Sequence, residues 1–212
     1  MEYKYLNILC EGPSEESFVK KVLAPYLEGF SVYTVPIILG GVSRYSKIRA
    51  ELKRIGKDSS KYLSTMLDYY KLPQDTPGVR DHSQIDIMDM AENIEHAVSE
   101  DLYQELNCKA FFPNLLLHEY EALLFSDVTA FSGCDRITGF ALRQLKEIRE
   151  AYQTPEHINN SEQTAPSKRI LNLYPSYQKV SDGTIIAETI GIEKMMKECP
   201  HFRKWIDRLS HL

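Results

Sequence analysis

Runs of apolar residues alternate with helix-like patterns along the first 117 residues of the chain. The apolar runs, rich in β-branched and aromatic residues, cover residues 5–10, 32–39, 62–67 and 111–117. The intervening helical patterns cover residues 15–29, 44–61 and 85–106. This βαβαβαβ order predicts an α/β fold with a mostly parallel, four-stranded sheet and helices on both faces.

The chain after residue 117 has a different, mainly helical pattern. Helices are predicted at residues 119–125, 138–152, 185–190 and 200–209, with a further helix beginning at Pro166. The length of 212 residues corresponds to about one domain. We therefore expect an α/β core over residues 1–125. Residues 126–212 are expected to pack on it as a helical C-terminal extension and not as an independent domain.

Charge is unevenly distributed along the sequence. The total of 25 Lys and Arg against 30 Asp and Glu gives a net charge of −5, which excludes a globally basic nucleic-acid coat protein. Residues 44–61, however, hold seven cations and two acidic residues. The cations are Arg44, Lys47, Arg49, Lys53, Arg54, Lys57 and Lys61. This basic stretch from Arg44 to Lys61 is a candidate nucleic-acid surface. The alternative is a solvated helix face.

The sequence contains no pattern typical of a membrane or secreted protein. No apolar run reaches the ~20 residues of a membrane span, and the first residues show no signal-peptide pattern. The four cysteines form no CxxC pair, so neither a zinc ribbon nor a redox dithiol is indicated. We therefore expect a cytoplasmic protein that does not bind membranes.

Acidic residues follow three of the predicted strands. Glu11 comes after the first strand, Asp68 after the third, and Glu119 with Glu121 after the fourth. Because the carboxyl ends of parallel strands share one edge of the sheet, these side chains are expected to converge. Clustered carboxylates need a cation, and hard oxygen ligands favour Mg²⁺ or Mn²⁺. The alternative is that each residue is a helix cap or a surface charge.

Two neighbouring residues are further candidates for this metal site. Glu15 stands four residues after Glu11 and can join it across the turn. Its alternative role is to complement the dipole of a helix N-terminus. His118 stands three residues before Glu121, a spacing found in carboxylate-bridged metal sites on helices. The alternative is a partly buried histidine bonded to a backbone carbonyl.

A candidate phosphate-binding segment lies at a predicted helix start. Ser167, Lys168 and Arg169 directly follow Pro166. Free N–H groups at a helix N-terminus, together with two cations, suit a phosphate, and the alternative is an N-cap with solvated charges. The sequence has no Walker loop, GxSxG elbow or HExxH motif, which disfavours nucleotide triphosphatases, triad hydrolases and zincins.

Five segments of the chain resemble a prokaryotic family known as domain of unknown function 4276. They read EGPSE at residues 11–15, LDYYKLP at 67–73, HEYEALLF at 118–125, APSKRI at 165–170 and CPHF at 199–202. These segments follow the order of the family and span most of the chain. The family is in turn similar to the TOPRIM fold of topoisomerases, primases and the overcoming-lysogenization-defect nucleases.

The TOPRIM resemblance implies roles for particular residues. In TOPRIM proteins a glutamate after the first strand, here Glu11, acts as general acid/base or metal ligand, and a DxD motif after the third strand binds Mg²⁺. The first motif of the nuclease branch is ExxxE, which Glu11 and Glu15 match. That branch also uses a later serine and lysine, for which Ser167 and Lys168 are candidates by residue type.

The second motif departs from the TOPRIM pattern. Asp68 is present, but Tyr70 stands at the position of the second aspartate. One metal ligand is therefore missing or comes from elsewhere in the chain, and Glu119 and Glu121 are the candidates. Catalytic activity depends on this substitution being compensated.

The leading hypothesis is Mg²⁺- or Mn²⁺-dependent phosphodiester hydrolysis by a nuclease-like enzyme. The resemblance implies a prokaryotic defence or mobile-element system, with a partner protein from the same locus. The candidate catalytic residues are Glu11, Asp68 and Lys168; the candidate metal ligands are Glu11, Glu15, Asp68, Glu119 and Glu121; the candidate substrate-binding residues are His118, Ser167, Lys168, Arg169, Arg44 and Lys47. The alternatives are a non-catalytic module that binds nucleic acid or protein, and a small-molecule phosphatase.

Overall fold

The sheet of the fold is built from the apolar runs of the sequence. A computed structural model of the chain describes residues 2–41, 43–79, 86–159 and 164–212. The strands are β1 (Lys4–Cys10), β2 (Val32–Ile38), β3 (Lys61–Asp68), β4 (Ala110–Phe112) and β5 (Leu115–Leu116). The first three strands are confirmed to within one residue at each end.

The strands pair in parallel, with β1 and β3 at the centre. The order is β2-β1-β3-β4, and β5 also pairs with β3. Each of these pairs is parallel. The predicted parallel α/β fold is therefore confirmed. Cys10, the last residue of β1, pairs with Met66 of β3, so the carboxyl ends of these two strands lie at one edge of the sheet.

The predicted fourth strand, residues 111–117, is interrupted. Pro113 has no N–H to donate to a ladder. Asn114 bonds instead to the side chain of Thr65: its N–H donates to Thr65 Oγ1 at 2.8 Å, and that hydroxyl donates to the Asn114 carbonyl at 2.8 Å. The sheet therefore has five strands where the sequence predicts four.

Helices cross between the strands as the sequence predicts. The crossover helices are α1 (Pro13–Phe18), α2 (Ala24–Glu28), α3 (Tyr45–Ile55) and α4 (Ile87–Leu102). A π-helical turn at Val19–Leu23 joins α1 to α2 without a break, so the helical pattern at residues 15–29 is confirmed. The predicted helix over residues 85–106 ends early, at Leu102, and Ile85 lies outside the described residues.

The C-terminal part is helical. Its α-helices are α5 (Gly139–Glu150), α6 (Pro166–Leu173), α7 (Ser181–Ile190), α8 (Ile192–Glu198) and α9 (Pro200–Ser210). Short 3₁₀ helices form at Tyr69–Lys71, Tyr120–Ser126, Val128–Gly133 and Pro155–His157. The helix predicted at residues 119–125 is thus of the tighter 3₁₀ type. Within the described ranges, no helix has the length and apolar character to cross a membrane.

Two apolar clusters cover the sheet, because alternate residues of a strand point to opposite faces. On one face, Leu6 and Ile8 of β1 pack with Phe18 of α1 and with Trp205 of α9. The other face, with Leu9 of β1, packs against α3 and α4. The core of the first face therefore joins the sheet to the C-terminal helices.

Candidate functional site

Strand order places two of the predicted acidic residues side by side. Glu11 directly follows β1, and Asp68 is the last residue of β3. The backbone N–H of Glu11 donates to the Met66 carbonyl at 3.3 Å, which continues the ladder one residue past β1. The N–H of Asp68 donates to Glu11 Oε2 at 3.4 Å. The structure therefore brings Glu11 and Asp68 together at the edge where strand order predicts them.

A lysine lies between these two carboxylates. Nζ of Lys71 is 2.8 Å from Glu11 Oε1 and 2.9 Å from Asp68 Oδ2. The 3₁₀ helix Tyr69–Lys71 begins directly after Asp68 and turns the lysine back over the end of the strand. Burial alone lowers the pKa of Lys71, but Asp68 and Glu11 raise it more, so its net pKa lies above the ordinary range. Lys71 is therefore a cation at neutral pH.

Asp68 is the most enclosed member of this group. Its side chain is 2% exposed, and its Oδ1 is buried without a hydrogen-bond partner. Burial raises the pKa of Asp68 well above its ordinary value, and the charges of Glu11 and Glu15 add to this effect. An unpartnered buried carboxylate oxygen lowers the stability of the fold. Asp68 Oδ1 is therefore a strong hydrogen-bond acceptor that no group of the described chain uses.

Glu15, in the first turn of α1, is the remaining predicted metal ligand near Glu11 and Asp68. Its Oε2 accepts the N–H of Gly12 at 2.9 Å, so it serves the helix N-terminus, which is its alternative role. Burial raises its pKa, and the charge of Glu11 raises it further. We call Glu11, Glu15, Asp68 and Lys71 the strand-end centre.

Glu119 and Glu121 belong to a second group. Nζ of Lys179 lies 3.1 Å from Glu121 Oε1 and 3.9 Å from Glu119 Oε1. Glu119 Oε2 also accepts the backbone N–H of Ser167, at 3.0 Å. We call Glu119, Glu121, Lys179 and the N–H of Ser167 the helix-end centre. Within the described part of the chain, no hydrogen bond or ion pair joins either glutamate to the strand-end centre.

The helix-end centre changes the interpretation of the predicted phosphate segment. The N-terminus of α6 does attract an anion, but that anion is the chain's own Glu119 carboxylate. Arg169 is half-buried and bonded to the protein itself: its Nε donates to the Thr164 carbonyl at 2.6 Å, and its Nη2 donates to Tyr152 Oη at 2.7 Å. Lys168 is exposed. Of the three predicted phosphate-binding side chains, Lys168 is therefore the accessible cation.

His118 and Tyr70 form a ring pair, and each stands directly beside one of the two centres in sequence. His118 is buried, and its ring stacks on that of Tyr70 with centroids 5.0 Å apart and planes at 25°. Nδ1 of His118 lies 3.3 Å from Asn159 Nδ2. Burial lowers the pKa of His118 to about 4, and the neighbouring His157 adds to the shift. His118 is therefore neutral near pH 7, and Tyr70, at the second motif position, stacks on it.

Most charges of the basic stretch are paired within the protein. Arg49 contacts Asp101 at 3.0 Å and also contacts Glu105, and Lys53 lies 2.7 Å from Glu105. Arg54 pairs with Glu51 at 2.5 Å, and Lys61 with Asp58 at 3.2 Å. These contacts neutralise much of the predicted nucleic-acid surface.

The remaining cations of this stretch differ in their surroundings. Nζ of Lys47 donates to the carbonyls of Gly40 and Gly41, at 2.8 and 2.7 Å, and so holds the loop after β2. The side chains of Arg44 and Lys57 form no hydrogen bond or ion pair with the described residues. Arg44 precedes α3 on the same loop. Of the two predicted substrate-binding residues in this stretch, Arg44 is therefore the one whose charge is free.

A metal at the strand-end centre fits the donors that are present. Among the described residues, no group of three or more His, Cys, Asp or Glu side chains is arranged to hold a metal ion. Mg²⁺, however, usually takes one or two carboxylates and completes its shell with water. Glu11 and Asp68 already share one cation, Lys71, and Asp68 Oδ1 has a free lone pair. Two carboxylates that converge on one point are therefore a suitable donor set.

Sequence reasoning missed the two lysines that organise these centres. Lys71 stands three residues after Asp68, and this short spacing was a signal that could have found it. Lys179 lies far from Glu119 and Glu121 in sequence and reaches them through the fold alone. No local pattern identifies such a partner.

A sizeable cleft lies elsewhere in the molecule and is lined by different residues. It has a volume of about 670 Å³ and lies beside the 3₁₀ helix Val128–Gly133 and α5. Its walls include Phe125, Val128 and Leu142, together with Arg143. None of the predicted site residues lines it. The candidate site therefore rests on the carboxylates and not on this cleft.

The chain matches a known protein family over nearly its whole length. A family model described as a domain of unknown function (DUF4276) matches residues 10–210. The chain belongs to this family. The DUF4276 match includes every residue of the strand-end and helix-end centres. No curated protein and no solved structure matches the chain.

Proposed function

We propose that this DUF4276 protein hydrolyses phosphodiester bonds with Mg²⁺ or Mn²⁺ held at the strand-end centre. The observation that carries the proposal is the convergence of Glu11 and the buried Asp68 on one cation position, with Asp68 Oδ1 unpartnered. Burying like charges together is costly unless a ligand uses them. Glu11 after β1 and Asp68 at the end of β3 also support the TOPRIM-like part of the proposal.

The chain's own residues have defined roles in this proposal. Glu11 and Asp68 would hold the metal, and Glu15 orients the turn after β1 through its bond to the Gly12 N–H. When bound, a divalent cation supplies positive charge to a phosphate and makes a water molecule more acidic. Lys71 and the exposed Lys168 are the cations that would contact the phosphate groups of a substrate.

The nuclease proposal is tested by nicking of supercoiled plasmid in the presence of Mn²⁺. Wild type is expected to nick the plasmid, and Glu11→Gln is expected to lose this activity because one of two metal-binding carboxylates becomes a neutral amide. Glu16→Gln is the matched control, since Glu16 lies five residues after Glu11, in α1, but pairs with Lys20 at the surface, at 2.6 Å. Equal activity of wild type and Glu11→Gln, or no activity with any metal, would refute the proposal.

A non-catalytic binding module is the second candidate, because Lys71 already neutralises part of the charge of the carboxylate pair. In a module of this kind the lysine is a permanent structural cation, and the missing second aspartate is not replaced. Calorimetry separates the two functions. Measurable heat of Mg²⁺ or Mn²⁺ binding at about millimolar concentration supports the enzyme, and its absence supports the module.

The substrate class is tested through the salt dependence of binding. The internal pairing of the basic stretch leaves Arg44 and Lys57 as its free cations, which favours few phosphate contacts. Each phosphate contact with a polynucleotide makes its affinity fall more steeply with salt. A steep fall with an oligonucleotide supports a nuclease, and a shallow one supports hydrolysis of a small phosphate ester.

A further inference from the structure

Lys71 occupies the position at which a metal would meet the strand-end carboxylates. Its ammonium lies within 2.9 Å of an oxygen of both Glu11 and Asp68. A metal held by the same two oxygens needs shorter distances, about 2.0–2.1 Å for Mg²⁺. The two cations therefore exclude each other from this point by size and by like charge.

The exposure of Lys71 allows its side chain to leave this position. Its side chain is 52% exposed, whereas that of Asp68 is 2% exposed. The lysine is carried by a three-residue 3₁₀ helix at the surface of the protein, so its flexible stem can turn towards water without disturbing β3. The carboxylate it leaves behind has no such freedom, because Asp68 is the last residue of a central strand.

The charges at the strand-end centre favour replacement of the Lys71 ammonium by a divalent cation. With Lys71 in place, ionised Glu11 and Asp68 keep an uncompensated charge of −1 between them, and Glu15 adds to it when it is ionised too. A divalent cation neutralises both carboxylates. A released ammonium would stay at the rim of the site, three residues from Asp68.

We propose that Lys71 and a divalent cation compete for the place between Glu11 and Asp68, so that metal binding displaces the lysine. The inference rests on the proposed metal-dependent function of this centre. Lys71 is then a resident cation that stabilises the metal-free protein, and it lowers the apparent affinity for metal. Removing its charge makes the site bind metal more tightly and makes the metal-free protein less stable.

The test is calorimetric titration of Mn²⁺ into the full chain, with thermal unfolding in chelator and in Mn²⁺. Lys71→Met is expected to bind Mn²⁺ at least about tenfold more tightly than wild type, because no ammonium has to be displaced. Its melting temperature is expected to fall in chelator and to rise more than that of wild type when Mn²⁺ is added.

Two control variants separate competition from a general effect of charge. Lys71→Arg keeps a cation in the same place and is expected to bind Mn²⁺ no more tightly than wild type. Lys20→Met makes the same substitution at the exposed pair with Glu16 and is expected to leave the affinity unchanged. If Lys71→Met does not fold, Lys71→Gln, which keeps a polar side chain, is measured in its place.

The possible results have distinct meanings. Unchanged or weaker Mn²⁺ binding by Lys71→Met overturns the competition and leaves the proposed metal-dependent function standing. Tighter binding by Lys20→Met as well overturns it in favour of a long-range charge effect. If neither wild type nor any variant binds Mn²⁺, both the competition and the proposed function are wrong.

Discussion

The strand-end centre and the helix-end centre each place one lysine beside two carboxylates, but they hold these carboxylates differently. In the helix-end centre, Glu119 receives a backbone N–H from Ser167, and Lys179 contacts the two glutamates at 3.1 and 3.9 Å. In the strand-end centre, Lys71 contacts both carboxylates within 2.9 Å. The first arrangement fastens a helix to a loop, whereas the second concentrates charge at the edge of a sheet.

The difference shows which of these carboxylates has an oxygen available to bind a ligand. Glu119 caps α6, so its carboxylate has a structural use that requires no ligand. Asp68 Oδ1 has no such contact, and burial and the charges of Glu11 and Glu15 raise the pKa of this carboxyl while Lys71 opposes the shift. Glu121 Oε1 is also buried without a hydrogen bond, but the ammonium of Lys179 lies 3.1 Å from it. A fold retains such an unfavourable arrangement where function requires it. We therefore expect substitutions at the strand-end centre to affect activity, and substitutions at the helix-end centre to affect structure.

The largest expected contrast is in catalytic rate. Asp68→Asn is expected to reduce plasmid nicking by about 10²–10³-fold, and Glu119→Gln by less than about tenfold. The amide oxygen of the glutamine in the second variant can still accept the Ser167 N–H, so the cap of α6 survives. Initial rates with Mn²⁺ measure both effects. A loss at Glu119→Gln as large as that at Asp68→Asn would show that the helix-end centre takes part in the chemistry.

The next contrast concerns His118, which precedes Glu119 in sequence and stacks on Tyr70. Its pKa of about 4 lies below its ordinary value of 6.5. Between these two pH values the imidazole therefore binds a proton in the unfolded chain but not in the folded protein. Stability contributed by this group is therefore lost as the pH falls from 6.5 towards 4. The loss amounts to about 3 kcal/mol once the pH is below both values.

The variant His118→Phe isolates this effect, because it keeps an aromatic ring against Tyr70 and has no proton to gain. Urea denaturation from neutral pH to below pH 4 is expected to show wild type losing about 3 kcal/mol relative to His118→Phe. His96→Gln serves as the control, since the side chain of His96 is 73% exposed. Parallel pH curves for wild type and His118→Phe would contradict a neutral, buried His118.

The sequence predicts the strand-end centre better than the helix-end centre for a physical reason. Parallel pairing fixes the ends of β1 and β3 at one edge, so Glu11 and Asp68 could be placed together from strand order alone. The direction of Glu119 depends instead on where Ser167 stands after a long stretch of chain, which no periodic pattern encodes. Pro113 likewise splits the fourth strand, because one missing N–H outweighs an apolar run.

The basic stretch shows the same limit. Its positive charge could be counted from the sequence, but the carboxylates that neutralise it come partly from α4 and the residues after it. Arg49 and Lys53 meet Asp101 and Glu105 only because α3 and α4 pack on one face of the sheet. Charge counted along a helix therefore overstates the charge that the folded surface presents.

The smallest contrast is in the stability of the metal-free protein. Asp68→Asn is expected to raise the free energy of unfolding by about 1 kcal/mol near neutral pH, because it removes a buried charge. Lys71 is half exposed and keeps Glu11 as a partner, so no buried cation is stranded. Glu121→Gln is expected to gain less, because burial raises the pKa of Glu121 but raises that of Asp68 well above its ordinary value.

The gain should depend on pH in a defined direction. The pKa of Asp68 is raised, so the folded protein binds the proton of this carboxyl more tightly than the unfolded chain does. Wild type therefore loses stability as the pH rises from the unfolded pKa of Asp68 towards its higher folded pKa. Asp68→Asn removes that loss, so its advantage is expected near neutral pH and absent below the unfolded pKa. Urea denaturation in chelator at both pH values measures it. A destabilised Asp68→Asn would mean that the Asp68–Lys71 pair is a favourable structural ion pair, and the strand-end centre would then resemble the helix-end centre in its use.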